Sequence, residues 1–79
     1  MILNKDLPQP KKQDDKAPEL IEIQIINKST GAIMYSEVAK QKHFSTGSVG
    51  YYCGGKMTNP ESAEKYQISC NIALIGSKP

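Results

Sequence analysis

The clearest pattern in the chain is the alternation of apolar and polar residues at two places. From Leu20, isoleucine occupies every second position through Ile25, and polar side chains lie between. Residues 66–75 continue the same alternation over the longest such stretch in the chain. A period of two is typical of a strand with one buried face. The pattern therefore predicts a strand at each place.

Turn-forming residues divide the rest of the chain. Residues 27–31 form a polar cluster that ends in glycine, and residues 58–63 form another that contains proline. Such clusters predict turns between strands. Residues 32–36 then form a returning second strand, and residues 44–57 form a third in which glycines are interspersed with aromatic residues. We interpret residues 37–42 as the end of the second strand or as a loop, because the run is too short for a stable helix.

These elements predict an all-β fold: a small four-stranded antiparallel meander over residues 19–79, with no helix. A turn centred near Glu61 and Ser62 places Cys53 opposite Cys70. A slip of one residue would exchange the two faces of a strand, so burial favours this register or one two residues away. The residues predicted to face the core are Val49, Tyr51, Cys53, Met57, Tyr66, Ile68, Cys70, Ile72 and Leu74.

Residues 1–18 differ from the rest in composition. They contain prolines at positions 8, 10 and 18, and their lysines and aspartates nearly cancel in charge. A segment with little apolar periodicity does not pack well, so we expect a flexible tail, disordered or extended. As an alternative, Met1, Ile2, Leu3 and Leu7 dock as a short strand or as a partner peptide.

The predicted core is thin, and an open meander leaves two strand edges and one sheet face to protect. Self-association would cover them. The sequence therefore favours a homodimer in which paired sheets or joined edges bury the isoleucine-rich faces.

The length of 79 residues allows one domain, and the formal net charge is +2. All ten basic residues are lysines. Lysine is a point charge with less directional selectivity than arginine, so any nucleic-acid binding should be weakly sequence-specific. The abundance of lysine, isoleucine and asparagine is also what AT-rich coding would produce.

The face opposite the predicted core carries a candidate binding surface. Tyr52 stands between Gly50 and Gly54, and Lys56 follows on the same face. An exposed ring beside lysines has the chemistry of a base-stacking platform with phosphate contacts alongside. The same residues also fit an ordinary solvent face, because aromatics favour strands and glycines accompany bulges. The candidate nucleic-acid-binding residues are Tyr52, Lys56, Lys40, Lys42, Ser48, Gln67 and Asn71.

These residues predict a non-catalytic protein that binds single-stranded DNA or RNA with low sequence specificity. The alternative is a small phage or bacterial accessory protein that acts as a protein–protein interaction module, through a sheet edge or its tyrosine-rich face.

Catalytic and metal-binding patterns are weak. Residues 50–56 fit the GxxxxGK spacing of a phosphate-binding loop, but Met57 replaces the magnesium-binding hydroxyl and Asn59 and Pro60 leave no room for the following helix. Cys53 or Cys70 with His43 as base lacks an orienting third group. We therefore expect no enzyme, no metal and no cofactor.

The two cysteines are too few for a disulfide scaffold, so we expect two reduced thiols. No apolar run approaches the roughly 18 residues of a membrane span, and the first residues lack a secretory signal. These features favour a soluble cytoplasmic protein.

Overall fold

The computed structural model describes residues 8–79, which form one antiparallel sheet in the order β1-β2-β3-β4. The predicted all-β meander is confirmed, and residues 8–79 contain no helix. Accordingly, nothing in this range could cross a membrane as a helix. The strands are β1 (Leu20–Ile26), β2 (Ile33–His43), β3 (Val49–Thr58) and β4 (Lys65–Ala73).

Strand β2 is longer than the sequence predicted. Residues 37–42 form the later part of the strand, so the strand alternative is correct and the loop alternative is wrong. Ala39 pairs with Ile21 of β1, and Lys40 pairs with Tyr52 of β3. Residues 37–40 pair with β1 and residues 40–43 pair with β3. This backbone pairing outweighs the weak strand preference of a lysine-rich segment.

The predicted register between β3 and β4 is confirmed. Cys53 lies opposite Cys70, and Tyr51 lies opposite Ile72. The N–H of Leu74 also donates a 2.8 Å hydrogen bond to the carbonyl of Val49. The pairing places the predicted core residues on one face, but Tyr66, near the third turn, is 51% exposed and is not part of the core.

The first and third turns share one backbone design. The carbonyl of Asn27 accepts a 2.7 Å hydrogen bond from Gly31, and that of Asn59 accepts one of 2.7 Å from Ala63. Each asparagine side chain also accepts a hydrogen bond from the N–H two residues ahead. Gly31 and Ala63 have φ values of 76° and 62°, so alanine occupies in the third turn a conformation that favours glycine.

The two hairpins, β1–β2 and β3–β4, are joined along only part of their length. The β2–β3 ladder runs from the pair His43 and Val49 to the pair Lys40 and Tyr52. Beyond it, a cleft of about 430 Å³ lies between the turns at the other ends of the hairpins and is lined by residues that include Met34. The sheet is therefore splayed at one end.

The core is confined to the middle of a single layer. Ala39, Val49 and Cys53 are buried, whereas the isoleucines of β1 on the same face are only half-buried. The Cα radius of gyration is 15.4 Å, compared with about 11.6 Å expected for a compact chain of this length. Within residues 8–79, much of the apolar face therefore lacks a second layer.

Residues 8–18 contain no strand or helix and pass over one end of the apolar face. The carbonyl of Pro18 accepts hydrogen bonds from the Tyr51 hydroxyl at 2.6 Å and from Gln41 Nε2 at 3.1 Å. The N–H of Lys11 donates to the carbonyl of Ser77 at 2.9 Å. These contacts tie the segment to strands β2 and β3 and to the C-terminal turn.

The predicted flexibility of the tail stays a prediction. The proposed docking of Met1, Ile2, Leu3 and Leu7 lies outside the described residues.

Candidate nucleic-acid interface

The face opposite the core brings together most of the residues predicted to bind nucleic acid. Tyr52 of β3 lies between Lys40 of β2 and Asn71 of β4, and each of these residues is its direct partner in the register. Lys56 lies opposite Gln67 further along the hairpin. Directly opposed residues of antiparallel strands share a face. The cluster of Lys40, Lys42, Tyr52, Lys56, Gln67 and Asn71, called here the lysine–tyrosine face, therefore forms one continuous surface.

Lys42 is the residue that approaches Tyr52 most directly. Its Nζ lies 4.7 Å from the centroid of the Tyr52 ring and 5.9 Å from that of Phe44. Both distances are within the range of a cation–π interaction. The sequence placed Lys42 near this surface but gave no sign that its ammonium group lies over the ring.

The Tyr52 ring, predicted to be exposed between two glycines, is half-buried. A Cβ atom on Gly54 would lie 2.6 Å from the Tyr52 hydroxyl oxygen, so the ring lies along its own strand above Gly54. A Cβ atom on Gly50 would overlap the carbonyl oxygen of Ile72 in β4. Gly54 therefore leaves space for the Tyr52 ring, and Gly50 leaves space for the backbone of β4.

Ser48 is separated from the lysine–tyrosine face. It lies in the turn before β3 and is only 9% exposed. Its carbonyl accepts a 2.8 Å hydrogen bond from Phe44, which closes that turn. The structure thus gives Ser48 a place in a connecting turn and little contact with solvent.

The charges on the lysine–tyrosine face are unevenly distributed. Lys40, Lys42 and Lys56 are exposed, and the acid on the same side of the sheet is Glu22 in β1. Hydrogen bonds from Gln24 and then Ser36 lower the pKa of the Glu22 carboxyl. The negative charge is therefore held on the β1–β2 hairpin, and the positive charges extend across β2 and β3.

A second cluster lies on the apolar face. The thiols of Cys53 and Cys70 are directly opposed, and the Tyr35 hydroxyl lies beside Cys53. Burial, followed by the neighbouring Cys70 thiol, raises the pKa of Cys53. Burial and the nearby Cys53 also raise the pKa of Tyr35, whose buried oxygen makes no well-aligned hydrogen bond to any described residue.

Sequence reasoning found the opposed cysteines but missed Tyr35. The signal was Gly55, because a Cβ atom there would lie 3.2 Å from the Tyr35 hydroxyl oxygen. A glycine at a core-facing position of β3 thus marks where a side chain from β2 crosses the splayed part of the sheet.

His43, which the sequence offered as a base for Cys53 or Cys70, is the last residue of β2. His43 Nε2 lies 2.9 Å from the carbonyl oxygen of Pro8 at the end of β2. Within residues 8–79, no group of three or more histidine, cysteine or acidic side chains is placed to hold a metal ion.

Comparison of the chain with protein families, curated proteins and solved structures finds no match. The functional argument therefore depends on the geometry of the described residues.

Proposed function

We propose that the protein binds single-stranded nucleic acid with low sequence specificity and without catalysis. The observation that carries the proposal is the position of Lys42 Nζ, 4.7 Å from the ring of Tyr52. Lys40 and Asn71 flank the same ring on the neighbouring strands. An aromatic ring among lysines offers a stacking surface and phosphate contacts within a small area.

On binding, the Tyr52 ring would exchange its contact with the Lys42 ammonium for a contact with a nucleic-acid base. A base stacks on Tyr52 as the Lys42 ammonium moves from the ring to a backbone phosphate. Stacking of a base on an aromatic side chain contributes about 1–3 kcal/mol. The loss of the cation–π contact offsets part of this, and the new phosphate contact compensates for that loss.

The rest of the face extends the contact along the strand. Lys56 lies about 13 Å along β3 from Tyr52, at roughly 3.3 Å per residue. The amide groups of Gln67 and Asn71 offer hydrogen bonds to sugars or base edges. Because lysines contact phosphates without reading the bases, affinity should depend on salt more than on sequence.

Fluorescence anisotropy with labelled single-stranded DNA and RNA tests the proposal. We expect salt-sensitive binding that falls by about tenfold in Tyr52→Ala, in line with the loss of one stacked base. Lys28→Ala is the matched charge control, because Lys28 lies in the exposed turn between β1 and β2. Absence of binding at tens of micromolar protein and low salt, or equal losses in Tyr52→Ala and Lys28→Ala, would contradict the proposal.

We also propose that a second copy of the chain covers the apolar face, which would make the protein a homodimer. The half-buried isoleucines of β1 support this, since a single-layer sheet needs a second layer to bury them. Face-to-face packing at about 10 Å would supply it.

Light scattering after size exclusion tests the dimer. We expect twice the chain mass for the native protein and the chain mass for Ile23→Lys, which places a charge on the apolar face. Gln24→Lys adds the same charge on the opposite, exposed face and should remain dimeric. A monomer at high micromolar concentration of the native protein would contradict the dimer.

A protein-interaction module is the second candidate function, and the free edge of β4 favours it. Among the strands of residues 8–79, β4 pairs with β3 alone. The hydrogen bond between Leu74 and Val49 sets the phase of the β3–β4 ladder. Alternate residues of β4, among them Ser69, therefore point their N–H groups away from β3. A partner strand would use these groups.

A proline substitution in edge strand β4 distinguishes between the two candidate functions. Ser69→Pro removes an outward N–H and leaves the β3–β4 ladder intact, so it should block strand addition. Tyr52→Ala should affect nucleic-acid binding instead.

We place the protein in the cytoplasm, a proposal supported by its two free thiols.

A further inference from the structure

We propose that Cys53 and Cys70 form a redox modification site that closes reversibly to an intramolecular disulfide. The two residues are direct partners across β3 and β4, and their side chains lie on the same face. They are also the only cysteines in the sequence. The proposal is independent of nucleic-acid binding, which uses the opposite face.

The backbone already holds the two cysteines at a distance that a disulfide can span. The hydrogen bond from Leu74 to Val49 sets the phase of the ladder, and hydrogen-bonded pairs recur at every second residue. Cys53 and Cys70 therefore form a hydrogen-bonded pair, for which the Cα separation is about 5.5 Å. This value falls within the range of about 4.4–6.8 Å found for disulfides. Directly opposed Cβ atoms lie about 4.5–5.5 Å apart, compared with about 3.5–4.5 Å in a disulfide. Closure thus requires side-chain rotation and a local approach of the two strands, with no change in register.

The two sulfurs differ in their access to solvent. Cys53 is 4% exposed, whereas Cys70 is half-buried on edge strand β4. In the single chain, an oxidant from solution reaches Cys70 first. In the proposed dimer, which covers this face, the reaction proceeds through the dissociated chain. The Cys70 thiol is also close enough to contribute to the raised pKa of Cys53, which indicates that the two groups interact before oxidation. Cys70 is therefore the attacking thiol, and Cys53 resolves the intermediate.

A small disulfide such as glutathione disulfide can serve as the oxidant for this reaction. The Cys70 thiolate attacks one sulfur of glutathione disulfide, forms a mixed disulfide and releases one glutathione thiolate. Cys53 then loses its proton, attacks the Cys70 sulfur and releases the second glutathione. Two protein thiols are oxidised to one disulfide, one glutathione disulfide is reduced to two thiols, and the two protein protons pass to the released thiolates. Because burial raises the pKa of Cys53, the second step should accelerate with rising pH.

Closure would connect the middle of β3 to the middle of β4. The bond lies beneath the strand positions of Tyr52 and Asn71, which are the next register pair along the hairpin. A cross-link that restricts the unfolded chain raises thermal stability. We therefore expect a melting temperature several degrees higher in the oxidised protein than in the reduced one.

Incubation of the native protein with glutathione disulfide at mildly alkaline pH tests the site. Intact mass spectrometry should show the loss of two hydrogen atoms at the mass of one chain. Maleimide labelling should show both thiols lost together, and dithiothreitol should restore them. Cys53→Ser should stop at the glutathione adduct on Cys70, and Cys70→Ser should react more slowly because its remaining thiol is buried.

The wild-type protein alone decides the outcome, even if a variant fails to fold. Thiols that remain fully labelled in a large excess of glutathione disulfide would overturn the proposal. A stable glutathione adduct, or a disulfide between two chains, as the end product would also overturn it. Neither result would bear on nucleic-acid binding, which the anisotropy measurement tests separately.

Discussion

The ammonium of Lys42 and the ring of Tyr52 form a cation–π pair across β2 and β3, with Nζ 4.7 Å from the ring centroid. The two residues are diagonal neighbours in the ladder, because Tyr52 is the direct partner of Lys40 and Lys42 is the direct partner of Gly50. Glycine opposite Lys42 leaves its side chain free to lean toward the ring. The register of β2 and β3 thus places the positive charge of Lys42 next to the Tyr52 ring.

Replacement of Lys42 should change how nucleic-acid affinity depends on salt. If Lys42 transfers to a phosphate on binding, Lys42→Gln removes one phosphate contact. The slope of the logarithm of the binding constant against the logarithm of salt concentration should then become shallower by about 0.7 for a single strand. Anisotropy titrations at several salt concentrations measure this slope. Lys28→Gln removes a charge from the distant turn, and an equal change in its slope would contradict a specific role for Lys42.

The third turn should become more stable when its alanine is replaced by glycine. Ala63 has a φ of 62° in the position that Gly31 holds, with a φ of 76°, in the matching first turn. Ala63→Gly relieves the left-handed strain of an L-residue, which costs roughly 1–2 kcal/mol. The greater entropy of glycine in the unfolded chain reduces the net gain to about 0.5–1 kcal/mol. Urea denaturation measures the free energy of unfolding.

Gly31→Ala is the reciprocal control for this turn. It should destabilise the protein by about 1 kcal/mol, because alanine must then adopt the left-handed conformation, which is strained for an L-residue. Space is not the reason, since a Cβ atom on Gly31 meets no atom within 4 Å. A loss of stability in Ala63→Gly, or a gain in Gly31→Ala, would show that backbone conformation does not control these turns.

Gly50 should be intolerant of any side chain. It is buried, and a Cβ atom there would overlap the carbonyl oxygen of Ile72 in the adjacent strand. The backbones of β3 and β4 must separate to admit a methyl group, which breaks ladder hydrogen bonds. Gly50→Ala should therefore destabilise the protein by more than about 2 kcal/mol, within the range for steric change in a core. An unfolding free energy within experimental error of the native value would contradict this expectation.

Alternation predicted the strands whose two faces differ most in burial. In β1 and in the middle of β4, half-buried side chains alternate with exposed ones, and the centre of the turn near Glu61 and Ser62 fixed the β3–β4 register. Residues 39–43 of β2 also alternate in burial, but Gln41 and His43 occupy inward positions, so the sequence does not show apolar alternation there. The backbone pairing that makes this segment a strand comes from β1 and β3.

The candidate site was predictable in residue type but less so in arrangement. Gln67 and Asn71 followed from the β3–β4 register, whereas the approach of Lys42 to Tyr52 depends on the β2–β3 register, which a loop without periodicity sets. The position of the Tyr52 ring above Gly54 is a choice of rotamer, which periodicity does not encode. The crossing of Tyr35 to Cys53 depends on the splay of the hairpins, which arises only in three dimensions.

Ser77 should contribute more to stability than its place near the end of the chain suggests. It is fully buried, and its hydroxyl donates a 2.7 Å hydrogen bond to the carbonyl of Leu74 while accepting one of 3.3 Å from the N–H of Val49. Its carbonyl also accepts a hydrogen bond from Lys11. The residue thus connects the C-terminal turn, the start of β3 and the segment before β1.

Ser77→Ala leaves the buried N–H of Val49 without its hydroxyl partner. An unsatisfied buried donor costs about 1–3 kcal/mol, so the free energy of unfolding should fall by about that amount. Ser45→Ala, at an exposed position in the turn between β2 and β3, is the matched control and should change stability by less than about 0.5 kcal/mol. Hydrogen exchange at the Val49 amide provides a local measurement, because exchange there should accelerate in Ser77→Ala. Unchanged protection at Val49 together with unchanged stability would show that the hydroxyl does not hold the start of β3.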